Sequence, residues 1–305
     1  MSIQLNDNIP LEPEAFYRDF GYLRHPETRK PVLSLAPFQY ETWHALFKYK
    51  RILVIKSHKI GLTTSTLLMD FQLAVLPSSH PMSTRGFDTL VISQTKDLAK
   101  EHLRNLRRMI LRSKKYAKWL IDKPAELDDS DSIRSIMRDE KTKTAVIYIR
   151  NPEDESSPSR IIALGADNSG SLESWPNIKH IHVSDITATI GDYSESLNVA
   201  ITRLANTNGT MIIETIPGPA FGPIYEMAQS YSGEPKTGQF KLFMIPASEG
   251  VKHGIISREF LANEKARLGP LYAHYYECDF TSSGNAWYDS DLFEYDTEDT
   301  TEVTL

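Results

Sequence analysis

The stretch ILVIKSHKIGLTTST, residues 52–66, holds the residue types that an anion site needs. The apolar run Ile52 to Ile55 reads as a buried strand, and the periodic run after Gly61 reads as a helix. A strand that passes through a glycine-containing turn into a helix aims backbone N–H groups, reinforced by the helix dipole, at a bound anion. The general phosphate-loop pattern is G-x-x-x-x-G-K-[ST]. Gly61 and Thr63 fit that frame, but Leu62 stands where lysine is usual and Lys56 stands where the first glycine is usual. Phosphate chemistry asks for a cation against the β/γ-phosphates and a hydroxyl for Mg²⁺. Lys56, at the mouth of the turn, has a side chain long enough to fold back over the loop, and Thr63 is placed for the metal. His58 and Lys59 would add positive charge at the rim, while Ser57, Ile60, Leu62 and Thr64 complete the wrapping segment. A strand–turn–helix that happens to hold a glycine and two threonines is the plain alternative.

Two further stretches bear on that choice. HIHVSDI is an apolar strand that ends in Asp185. In phosphate-driven machines a strand-end aspartate, on a strand expected beside that of the loop, positions Mg²⁺ through water. IIETIPGPAFGPIYE is a strand that enters a Pro/Gly-rich turn and then a helix, with Glu214, Thr215, Pro217 and Gly218 at the turn. A turn of this kind beside a terminal phosphate can change shape when the phosphate leaves. His180 and His182 share one strand face at period two; without a nearby cysteine, packing histidines are favoured over a zinc site. Cys278 lies in an aromatic-rich segment and reads as packing. Ser194 and Ser196 lack a G-x-S-x-G context, which argues against a serine nucleophile.

These residues need elements to position them. Helical spacing of Trp43, Leu46 and Phe47 predicts a helix over 38–50, then a strand over 51–56 and a helix over 63–76. DTLVISQT is a second buried strand, followed by a long helix over 96–120. TAVIYIR and RIIALGA form a strand pair around the turn-rich NPEDESSP, and HIHVSDI, TMIIETI and FKLFMIPA are further strands. Strands alternating with helices imply an α/β fold with a mostly parallel sheet and helices on both faces. Residues 1–36 read as an N-terminal arm or partial lid, 37–250 as the core, 251–288 as a helical lid or linker, and 289–305 as an acidic mobile tail. Residues 122–145 are polar and poorly periodic.

The 305 residues suffice for one large α/β domain. At 40% hydrophobic and 24% charged, the chain is globular in composition. The net charge of −6 excludes a whole-surface attraction to nucleic acid, so any such contact needs a local basic patch. Arg104, Arg107 and Arg108, on the helix after Thr95, are the candidates for a DNA backbone; an ordinary solvated helix face is the favoured alternative. A single cysteine rules out an internal disulfide, and no apolar stretch is long enough to span a membrane. A soluble, cytoplasmic protein is expected.

As an ordered set, these stretches resemble the ATPase half of viral terminase large subunits, the motors that drive DNA into procapsids. That family often carries a deviant loop, K-S-x-x-x-G-x-[ST], which Lys56-Ser57-His58-Lys59-Ile60-Gly61-Leu62-Thr63 fits with the lysine at the front. The resemblance runs from about residue 37 to residue 280. It implies an ASCE-type P-loop NTPase that uses ATP and Mg²⁺, with Lys56 and Asp185 as catalytic residues and Thr63 and Asp185 at the metal. It implies that Gln39, in LAPFQYETW, reads adenine, and that Thr215, Pro217 and Gly218 relay the phosphate state. It also implies double-stranded DNA, a portal or procapsid and a small terminase subunit as partners. A homo-oligomeric ring when active and a setting in the host cytoplasm follow as well. Three departures stand out. Ile186 and Thr187 follow Asp185 where a catalytic glutamate is usual. Glu214, near the end of a strand expected beside that of the loop, is the candidate catalytic substitute, with simple pairing to a nearby cation as its equal alternative; for the whole chain, a nucleotide-binding assembly module without hydrolysis is the alternative. GADNSGSLESWPNI holds no arginine where related motors often place one, with Arg150 or Arg160 as weak substitutes. The expected nuclease domain is separate or missing.

Overall fold

The computed structural model describes residues 5, 8–25, 30–121, 146–166, 175, 177–186, 194–218, 220–230, 235 and 239–280. The expectations for residues 122–145 and for the acidic tail therefore lie outside the described residues. Aliphatic and β-branched runs bounded by turn residues become the strands: β1 Arg51–Lys56, β2 Asp88–Ser93, β3 Val146–Ile149, β4 Ser159–Gly165, β5 Ile178–Ser184, β6 Thr210–Thr215 and β7 Lys241–Ile245. The helices that bear on the site are α1 Pro13–Phe20, α2 Pro37–Tyr49, α3 Leu62–Val75, α4 Lys96–Arg112, α5 Ser194–Arg203 and α6 Pro223–Ser230. Three shorter ones follow β7: α7 Ala247–Lys252, α8 Arg258–Leu268 and α9 Leu271–Tyr276.

The strands form one sheet in the order β3-β4-β2-β5-β6-β1-β7. Every neighbouring pair is parallel except β3–β4, an antiparallel hairpin. Alternating residues feed two apolar cores, as period two requires. Ile52, Val54, Val91, Ile161, Ala163 and Ile212 face a core closed by α1 to α4. Leu53, Ile55, Leu90, Ile92, Val183 and Ile213 face a second core closed by α5, α6, Cys278 and Phe280. The α/β architecture with helices on both faces is thus the one that the sequence implies.

Three details differ from the sequence reading. Asp185 does not follow a strand beside β1, because β6 lies between β5 and β1. Glu214 on β6 registers with Val54 on one side and Ser184 on the other, so β6 inserts its own acid between the two strand ends. The helix expected over 96–120 stops at Arg112. There the Ser113 hydroxyl donates to the Phe20 carbonyl at 2.6 Å, and the chain turns so that Tyr116 and Trp119 enter the core. The region expected as an arm contains α1, whose Phe16, Tyr17 and Phe20 are buried in the first core.

Phe16 is the centre of that docking. Its ring lies 5.3 to 6.4 Å from those of Phe20, Trp43, Phe71 and Tyr116. Phe16→Ala should destabilise the domain by about 3–5 kcal/mol, because it removes a fully buried ring from a packed aromatic cluster. Urea unfolding followed by tryptophan fluorescence measures this; a loss below about 1 kcal/mol would mean that α1 is an attached arm, not part of the core.

Candidate phosphate-binding site

The loop between β1 and α3 is held from several sides. Its front edge is tied down by the Ser57 N–H, which donates to the Ile245 carbonyl at 2.9 Å, and the His58 N–H, which donates to the Tyr275 carbonyl at 3.1 Å. The Ile60 and Leu62 side chains, each 1% exposed, are anchored in the core, so only their backbone is free to meet a ligand. Ser57 is also buried, and its hydroxyl donates to the His58 carbonyl at 3.0 Å instead of facing a phosphate. Thr64 and Lys59 are exposed at the rim. Burial, and then the Lys56 charge, lower the pKa of the half-buried His58, so at neutral pH its ring adds little charge.

Two residues of the turn take the left-handed conformation, Lys59 at φ 63° and Gly61 at φ 71°. Only Gly61 does so without strain. Gly61 caps α3 without a side-chain acceptor for the first-turn N–H groups of the helix. Such orphan donors at a helix start are what an anion takes up.

Lys56 folds back across the loop as its position implied. Its ammonium donates to Thr63 Oγ1 at 3.2 Å and to Asp185 Oδ1 at 2.8 Å. Burial by itself would lower the Lys56 pKa, but the Glu214 and Asp185 carboxylates outweigh it and hold the pKa above its ordinary value. Asp185 is at φ 53°, a conformation that aspartate tolerates better than most residues, and its N–H is fixed on the Glu214 carbonyl at 2.9 Å. A hydroxyl and a carboxylate converging on one cation are hard oxygen donors and suit Mg²⁺. Thr63 and Asp185 are the pair that would hold it.

Glu214 lies fully buried between the ends of β1 and β5. Its Oε1 accepts from the Thr66 hydroxyl at 3.2 Å, the Ser184 hydroxyl at 3.0 Å and His182 Nε2 at 3.0 Å. Its Oε2 is buried and has no hydrogen-bond partner among the described residues. Burial favours the neutral acid, yet the Lys56 charge and the His182 contact hold the carboxyl well below the usual carboxylate range. Below it, His182 Nδ1 meets Asp70 at 2.6 Å, and His180 Nε2 meets the other oxygen of Asp70 at 3.0 Å. Both histidines are thus buried and paired with side chains of the core.

Gln39 sits against the loop. Its Oε1 accepts the Ala36 N–H at 2.8 Å, and its Nε2 donates to the Gly61 carbonyl at 2.9 Å, so it ties α2 to the turn. Thr215 is buried, and its hydroxyl donates to the Ile186 carbonyl at 2.7 Å, joining the end of β6 to the segment after Asp185. Pro217 and Gly218 continue that buried connection. Cys278 is buried against the Ile55 carbonyl, and burial pushes its thiol up to about 12, away from nucleophilic use. Arg104 and Arg108 are exposed on α4 and both pair with Glu101. Arg160 makes a double bond pattern to Asp88, both contacts at 2.6 Å, at the end of the sheet opposite the loop. Sequence reasoning missed Asp70, Thr66 and Ser184. The available signal was a lone charged residue, Asp70, in the mostly apolar run LLMDFQLAV.

The chain has an α/β fold with a mostly parallel sheet, and the loop between β1 and α3 stands at the carboxyl edge of that sheet. No protein-family model matches the chain, and no curated protein is significantly similar to it in sequence. Solved structures of phage large terminases do match. The ATPase domain of the Thermus phage P74-26 large terminase shares the fold with TM-score 0.60 at 15% identity, over 89% of this chain and all of that one. The bacteriophage HK97 large terminase gives 0.59 at 11%, over 88% of this chain and 54% of that one. The large terminase of a thermophilic bacteriophage, in complex with ATP-γ-S, gives 0.52 at 10%, over 81% and 53%. The chain thus spans about half the length of the latter two proteins. Among the described residues no helix is long and apolar enough to cross a membrane.

His182 makes this site sensitive to alkali. Burial would lower its pKa, but Asp70 on one nitrogen and Glu214 on the other raise it from 6.5 to about 10. A group whose pKa is raised by folding contributes its stability in full below pH 6.5 and loses it as the pH climbs through about 10. Thermal unfolding should therefore show wild-type stability declining across that window. In His182→Gln the midpoint should be lower throughout, and this decline should disappear. An equal decline in both proteins would show that His182 is not the titrating group.

Proposed function

We propose that this chain binds Mg²⁺-ATP on the loop over residues 56–64 and hydrolyses it as the motor domain of a genome-packaging large terminase, driving double-stranded DNA into a procapsid. The observation that carries the reading is the meeting of the Lys56 ammonium, the Thr63 hydroxyl and the Asp185 carboxylate at the start of α3. The fold that they occupy is that of phage large terminase ATPase domains. A lysine launched from the front of the loop thereby reaches the place that the usual pattern fills from the back.

Bound Mg²⁺ would supply positive charge against the phosphates. The protein's part is positioning and charge stabilisation, as in phosphoryl transfer generally. The uncapped start of α3 cradles the phosphates, and Lys56 turns from Asp185 towards them. Glu214 orients the attacking water through Oε2, the oxygen that no protein donor takes among the described residues. Gln39 keeps one amide hydrogen for adenine while the other holds Gly61. Thr215, with Pro217 and Gly218, passes the loss of the terminal phosphate from β6 to the segment after Asp185. Arg104, Arg107 and Arg108 contact the DNA backbone. The portal, a small terminase subunit and further copies of the chain in a ring are the partners of this reading, in the host cytoplasm.

The rival is a nucleotide-binding assembly module without hydrolysis, which rests on Ile186 standing where a catalytic glutamate is usual. The ionised Glu214 beneath the loop favours hydrolysis.

Phosphate release with DNA present, together with binding of a non-hydrolysable ATP analogue, separates the two. Lys56→Ala should lose both analogue binding and phosphate release. Glu214→Gln should bind the analogue within about threefold of wild type and release phosphate roughly 10²-fold more slowly, or less. Wild-type protein that binds but never releases phosphate would select the assembly module. Unchanged release in Glu214→Gln would remove that residue from the chemistry.

For the DNA contact, changing Arg107 and Arg108 together to alanine should weaken DNA-stimulated release. It should also reduce the slope of log affinity against log salt by about 2, since each phosphate contact contributes about 0.9. An unchanged slope would leave α4 a solvated face.

A further inference from the structure

The chemistry above does not use the ionisable groups beneath Glu214, although they are among the most buried described residues. Asp70, His180, His182 and Glu214 are each 0% exposed. Asp70 on α3 is the centre of one chain of contacts that reaches β6 at both ends through the two histidines of β5. The Thr210 hydroxyl meets His180 Nδ1 at 2.7 Å, and His180 Nε2 meets Asp70 Oδ1 at 3.0 Å. Asp70 Oδ2 meets His182 Nδ1 at 2.6 Å, and His182 Nε2 meets Glu214 Oε1 at 3.0 Å.

The hydrogen-bond inventory decides the state of His182. An ionised carboxylate only accepts, and both nitrogens of His182 face carboxylates. With Asp70 and Glu214 both held ionised by the cations around them, each nitrogen donates, and the ring is an imidazolium clamped between two acids. His180 needs only one proton, on Nε2, because the Thr210 hydroxyl can donate to its Nδ1. The far end of the line is asymmetric. Glu214 Oε1 takes donors from Ser184 and His182, with the Thr66 hydroxyl, whose one proton also faces the Leu62 and Thr63 carbonyls, at 3.2 Å, while Oε2 takes none among the described residues. Donors gathered on one oxygen fix the rotation of the carboxyl group and leave the other oxygen directed. Thr66 and Asp70 both lie on α3, the helix that begins with the loop.

We propose that His182, itself oriented by Asp70, is a positioning residue that sets the rotation of Glu214 and couples it to α3, so that the loop helix and the reacting carboxylate move as one piece. The inference rests on the reading of Glu214 as catalytic, and the experiment separates the two.

Single-turnover phosphate release with DNA, analogue affinity and unfolding are measured on the full chain for wild type, Glu214→Gln, His182→Gln, the double variant, and Asp70→Asn, which keeps the packing of the acid. Histidine-labelled wild type and Asp70→Asn are compared by ¹⁵N NMR. His182→Gln should slow release roughly 10- to 100-fold, as loss of an orienting partner does, with analogue affinity within about threefold. In the Glu214→Gln background it should cost nothing further, because both changes act through one carboxylate. The wild-type spectrum should show His182 with both nitrogens protonated at pH 8, altered by Asp70→Asn.

Normal release in His182→Gln beside an inactive Glu214→Gln overturns the positioning role and leaves Glu214 catalytic. A further loss in the double variant also overturns it, since His182 would then act independently. Full release in Glu214→Gln overturns both readings. If His182→Gln does not fold, Asp70→Asn gives the same kinetic test, and a singly protonated His182 in the wild-type spectrum overturns the proposal without any variant.

Discussion

Lys56 must carry its charge where there is almost no water. Its side chain keeps 9% of its exposure, and burial of that degree works against an ammonium. Asp185 at 2.8 Å and Glu214 beneath it reverse the balance. Everything in the upper part of the sheet is arranged to make that exchange possible. Three strand ends, those of β1, β6 and β5, must lie side by side so that one long side chain can cross from the first to the third. The parallel pairing brings all three ends to the same edge, where α3 also begins.

The loop around Lys56 is held rigid at some cost. A lysine at φ 63° is disfavoured by roughly 1–2 kcal/mol relative to the right-handed region. That conformation persists because its neighbours are fixed independently. Ser57 and His58 are tied to β7 and α9 through the backbone, Ile60 and Leu62 are sunk in the core, and Gly61 is held by Gln39. A loop ordered in advance loses less entropy when an anion arrives. The strained residues, Lys59 and Asp185, flank the place where that anion would sit.

Below the loop the problem is reversed. Asp70 and Glu214 would each be costly to bury as isolated ions, and the imidazolium between them makes the layer tolerable. Burial raises the pKa of Asp70, but His182 and His180 outweigh it and keep the carboxyl low. The layer is therefore stable only as a set, which ties α3, β5 and β6 together more specifically than the apolar contacts around them.

Local patterning in the chain determined a great deal. The alternation of aliphatic runs with periodic helices specified the parallel sheet, and the loop segment with its leading lysine, glycine and threonine marked the site, because both depend on neighbours within a few residues. The place of β6 beside β1 was expected, but no local signal says that β6 also separates β5 from β1 or that α1 belongs to the core. Gln39 illustrates the same limit. Its place before the loop was readable, but not the bond to the Gly61 carbonyl, which spans 22 positions. The role of Asp70 and the state of His182 were hidden for the same reason. The residues that face them come from α3, β5 and β6, and only the folded packing of those elements decides which acids a buried histidine meets.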